Sequence, residues 1–131
     1  MAHSAFNPEQ RENLGDVLKK ARELERERRL PPSPYLIGAE AVNNVCRENN
    51  IPLDAGLDAA IRNNVVHLQN GERSNASCFT REAEVHLDST KAYAKKGETQ
   101  KALVSATGVF LNIGGFLAGG NNDYHRMKTG N

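Results

Sequence analysis

The sequence predicts an all-α fold: a single-domain bundle of four or five helices with short connections. Three observations predict it. Apolar residues recur every three or four positions in five successive blocks. Proline or glycine separates one block from the next. Nowhere does an apolar–polar alternation run long enough for a strand.

The first block, Pro8 to Arg29, reads as a helix with Asn7 as its cap and Pro8 in its first turn. Leu14, Val17, Leu18, Ala21 and Leu24 form its apolar stripe. The remaining face is crowded with charge, seven basic and six acidic residues. Pairs such as Asp16–Lys20 and Glu25–Arg29 run acid before base, each worth about 0.2–0.5 kcal/mol. Past Leu24 the stripe thins, so the end of this helix is expected to project from the core or meet a partner. Pro31-Pro32-Ser33-Pro34 cannot continue a helix and favours an extended polyproline stretch.

Ser33 and Pro34 open the second helix, which runs to about Glu48 with Leu36, Ile37, Ala39, Val42, Val45 and Cys46 mostly on one face. Asn49-Asn50 ends it. The third starts at Asp54, buries Leu57, Ala60, Ile61, Val65 and Leu68, and stops at Asn70-Gly71. A polar loop, residues 72–77, is expected to be the mobile internal segment. Thr80 caps the fourth helix, whose stripe is Ala83, Leu87 and Ala94. Glu82 complements its positive end, Lys95-Lys96 its negative end, and Gly97 its stop. The fifth is expected from Glu98 to about Ala118, on the stripe Ala102, Leu103, Ala106, Val109, Phe110, Ile113, Phe116 and Leu117. Residues 1–7 and 119–131 are expected to be flexible ends around a helical domain of residues 8–118.

The 131 residues carry 17 Lys and Arg against 16 Asp and Glu, and this balance argues against a nucleic-acid binder. Arg22, Arg26, Arg28 and Arg29 do cluster, but Glu23, Glu25 and Glu27 are interleaved with them, and a phosphate-binding surface needs unmatched cations. Two cysteines exclude a disulfide-rich scaffold. The opening residues form no secretory signal and neither end carries a lipidation box, so a cytoplasmic setting is expected, with export by another route left open.

No Cys-x-x-Cys and no His-x-x-x-His spacing occurs, so no metal or cofactor is expected. Glu82, Glu84 and Asp88 read as a solvated face. Cys46 lies on an apolar stripe and reads as a small hydrophobe. Cys78 precedes a helix N-terminus, a setting that activates a thiol, and His86 in the next helix is its candidate base. This gives the alternative of a Cys-dependent enzyme or redox protein, with Cys78 and His86 (or His67) as catalytic residues. A second alternative is membrane insertion through an uncharged Ala102–Gly120 helix, with Gly115 to Gly119 as a small-xxx-small packing motif. The reading as a buried central helix competes with it.

Tyr93, Gly97 and Ala102 stand at spacings that resemble a tetratricopeptide-repeat hairpin. The resemblance covers that hairpin alone, and His86 and Thr90 replace the large aromatic and the glycine usual there. It implies a helical hairpin and no function.

The functional expectation is a non-catalytic protein–protein interaction module: an adaptor, escort or inhibitor, effector-like in character, that docks a helical surface on another protein. Leu24, Arg28, Pro32, Tyr35, Gly115 and Phe116 are the expected interaction residues. Self-association through the first or last helix is the second expectation.

Overall fold

The computed structural model describes residues 13–71, 76 and 78–114. Five helices fill them: α1 (Leu14–Glu27), α2 (Pro34–Glu48), α3 (Ala55–Gln69), α4 (Arg81–Lys95) and α5 (Thr99–Leu111). Two short strands, β1 (Cys78–Phe79) and β2 (Ile113–Gly114), complete the fold. The all-α bundle is therefore as expected, with a two-residue antiparallel ribbon added.

Side chains and backbone geometry set the helix ends. Asn13, Asp54 and Thr80 are extended or non-helical residues that accept amide hydrogens from the first turns of α1, α3 and α4. Asp54 accepts two, from Gly56 at 2.9 Å and Leu57 at 3.2 Å. Helix α1 begins at Leu14 behind Asn13, not at Pro8; Asn7 and Pro8 lie outside the described residues. Three helices end in the same way. A left-handed residue follows the cap, and the next amide bonds back five positions: Leu30 to Glu25, Ile51 to Cys46, Glu98 to Tyr93. Gly97 fills the left-handed position after α4, whereas Arg29 and Asn50 adopt it after α1 and α2.

Helix α2 is the centre of the bundle. It packs against α1 on one side and against α4, α5 and β1 on the other, while α1 also covers α3. Its buried residues cover about half of its circumference: Tyr35, Leu36, Gly38, Ala39, Val42, Val45 and Cys46. Gly38 is where α5 and β2 come close. A Cβ there would sit 3.3 Å from both Val109 and Ile113 side chains. The Tyr35 and Phe110 rings meet at 5.0 Å between centroids, tilted by 55°.

The fifth helix departs most from expectation. It stops at Leu111, caps on Asn112 and turns into β2, where Ile113 faces Phe79 and Gly114 faces Cys78. The Asn112 side chain donates to the Gly108 carbonyl at 2.8 Å, and the Thr80 hydroxyl donates to the Asn112 carbonyl. Those bonds and the strand pairing end a helix whose apolar period continues in the sequence. Helix α5 is thus neither the central helix nor a continuous Ala102–Gly120 segment. No helix among the described residues is long and apolar enough to cross a membrane.

Candidate functional site

Two places hold the residues singled out in the sequence, and the structure adds a third. The first is the end of α1. Glu25, expected to pair with Arg29 on a solvated face, is buried at 4% exposure. Its carboxylate accepts from the Ser33 amide at 2.9 Å and faces Arg22 at 3.3 Å. Arg22 reaches on to Glu40 of α2 at 3.5 Å. Ser33 occupies the cap position of α2, but its hydroxyl makes no cap bond. The carboxylate thus holds the proline segment against α1.

Arg28 is also committed within the fold. Its guanidinium donates to the Leu68 carbonyl at 2.8 Å and the Gln69 carbonyl at 3.5 Å, a cation on the negative end of α3. Leu24 is half-buried against the core and Pro32 is exposed. Tyr35, expected at an interface, is instead a core residue at 1% exposure. Of the expected interaction residues here, only Pro32 has no role inside the fold.

The second place is the ribbon. Cys78 is exposed, and its Sγ lies against Gly114, where a Cβ would come within 2.6 Å. His86 lies over a different glycine: a Cβ on Gly108 would meet its Nδ1 at 2.6 Å. Among the described residues no hydrogen bond joins the thiol to the imidazole. Cys46 is buried, and desolvation pushes its thiol pKa up, which keeps it protonated and unreactive. No three His, Cys, Asp or Glu side chains among the described residues gather as they would around a metal ion. Gly115 and Phe116 lie outside the described residues.

The third place was not singled out. Among the described residues five large apolar side chains are exposed, and three of them stand on the α4–α5 hairpin: Val85, Val104 and Leu111. Val104 is the most exposed, at 65%. Val104, Gly108 and Leu111 share one face of α5, four and three residues apart, over roughly 10 Å. The His86 ring fills the space above Gly108 and so sits between the two apolar side chains. Two contacts set the register of the hairpin: His86 on Gly108, and Lys101 Nζ 5.7 Å from the Tyr93 ring centroid. The sequence carried a signal for this face. Val104 and Leu111 are out of phase with the buried stripe of their own helix.

No protein-family model, curated protein or solved structure matches the chain. The tetratricopeptide-like spacing therefore stands as a local likeness of one hairpin.

Proposed function

We propose that the protein is a non-catalytic interaction module that docks the outer face of its α4–α5 hairpin on a protein partner. One observation carries this reading. Val104 stands 65% exposed on a face of α5 that it shares with Leu111, and Val85 adjoins the intervening His86 on α4. Exposed apolar side chains gathered on one face, rather than scattered singly, mark interaction surfaces. Adaptor, escort and inhibitor all reduce to this docking step.

The test is capture of a stoichiometric partner by immobilised protein, compared across two variants. Val104→Glu is expected to lose the partner with unchanged helical content. Val66→Glu, at a similarly exposed apolar site on α3, is expected to retain it. Equal retention by both variants would overturn the reading.

A further inference from the structure

We infer that Asn70, at the carbonyl end of α3, is a self-modification site: its side-chain amide is lost through a cyclic imide, at a rate set by the clasp between α1 and α3. The inference is independent of the docking face. Its chemistry belongs to the residue pair. Asn70-Gly71 is the only asparagine–glycine step in the sequence. Asparagine is thermally labile, and a following glycine, with no Cβ, hinders ring closure least. The Gly71 nitrogen attacks the Asn70 Cγ. The new N–C bond replaces the Cγ–Nδ2 bond, and ammonia leaves with the proton of the Gly71 amide. Water then opens the imide. Opening at Cγ gives aspartate, and opening at the backbone carbonyl gives an isoaspartyl linkage. Base speeds the attack, because the amide nitrogen must lose its proton.

The fold leaves this pair accessible and holds it in the wrong geometry. Asn70 and Gly71 are both exposed, and nothing lies within 4 Å of where a Gly71 Cβ would stand. Water and base therefore reach the site. Asn70 is the C-cap of α3 with ψ 10°, so the Gly71 nitrogen nearly eclipses the Asn70 nitrogen. The Gly71 amide donates to the Leu68 carbonyl at 3.0 Å. Ring closure requires the Gly71 nitrogen to swing round until it eclipses the Asn70 Cβ, and that swing breaks the bond to Leu68. The last turn of α3 must open first, as helix ends do by local unfolding.

Arg28 governs that opening. Its guanidinium donates to the same Leu68 carbonyl at 2.8 Å and to the Gln69 carbonyl at 3.5 Å, which ties the last turn of α3 to the end of α1. Asn50 provides the contrast. It is exposed and follows the cap of α2, but the next residue is the branched, buried Ile51, whose amide is held by the Cys46 carbonyl at 2.8 Å. Reaction at Asn70 puts a carboxylate at the negative end of the α3 dipole, an unfavourable place that the nearby Arg28 cation offsets. The net charge of the chain falls by one from +1.

Peptide mass spectrometry of the full chain, aged folded in mildly alkaline buffer, tests this. The peptide holding Asn70 is expected to gain one mass unit and to split into aspartyl and isoaspartyl forms, well before the peptide holding Asn50 changes. Conversion at Asn70 is expected to be slower than in the same chain aged in denaturant. In folded Arg28→Ala it is expected to run severalfold faster than in folded wild type, with Asn50 unchanged. In denaturant the two chains are expected to react alike. An Asn70 that stays intact in the folded chain while it converts in denaturant, or one that converts no sooner than Asn50, would overturn the site. Equal folded rates in wild type and Arg28→Ala would overturn the role of the clasp. So would a matching acceleration at Asn50, which would report general loosening of the variant.

Discussion

The α1–α3 side and the α4–α5 hairpin are both rich in charge, and they use it differently. On the first side three charged groups are committed within the fold. Glu25 holds the Ser33 amide, Arg22 bridges Glu25 and Glu40, and Arg28 closes the carbonyl end of α3. On the hairpin the acids and bases of α4 stand exposed and segregated, and Val85, Val104 and Leu111 are exposed as well. Charge density alone therefore does not mark an interaction surface. What matters is whether the fold already supplies the partner. Substitutions on the first side should cost stability, and substitutions on the hairpin should cost association.

The largest expected effect is at Tyr35. Its ring is buried against Phe110, and Tyr35→Ala should lower stability by about 3–5 kcal/mol in denaturant unfolding. A loss near zero would return Tyr35 to the surface. Glu25→Ala comes next. It strands the Ser33 amide and removes the partner of Arg22, for an expected loss of about 1–3 kcal/mol. Arg28→Ala should cost roughly 1 kcal/mol, because the α3 carbonyls it satisfies can turn to water. A partner-binding Arg28 would leave stability untouched. The smallest effect separates the two cysteines. A thiol reagent at neutral pH should label Cys78 and spare Cys46 in the folded protein, with both labelled after unfolding. Rapid labelling of Cys46 would show that its cover opens readily.

Much of the fold was legible because its boundaries are chemical and local. Asp54 and Thr80 announce helix starts, and Asn50, Gly71 and Gly97 announce stops through their tolerance of left-handed backbone. The end of α5 was not legible. Its apolar period runs on past Leu111, and what halts it is contact with Thr80, Cys78 and Phe79, more than thirty residues away. Glu25 was hidden for a related reason. A glutamate in a run of alternating charges reads as solvated, and its burial depends on where the proline segment returns. The proposed docking face was half legible. Val104 and Leu111 betray themselves by being out of phase, but the seat of His86 on Gly108 is a property of the folded hairpin.

The central claim is that the hairpin face serves association and contributes little to the fold. The most direct measurement takes Val104→Glu and wild type through thermal unfolding and through partner capture by the immobilised protein. The account predicts stabilities within about 0.5 kcal/mol of each other, as for a surface substitution, together with loss of the captured partner in the variant. A destabilised variant, or undiminished capture, would contradict it.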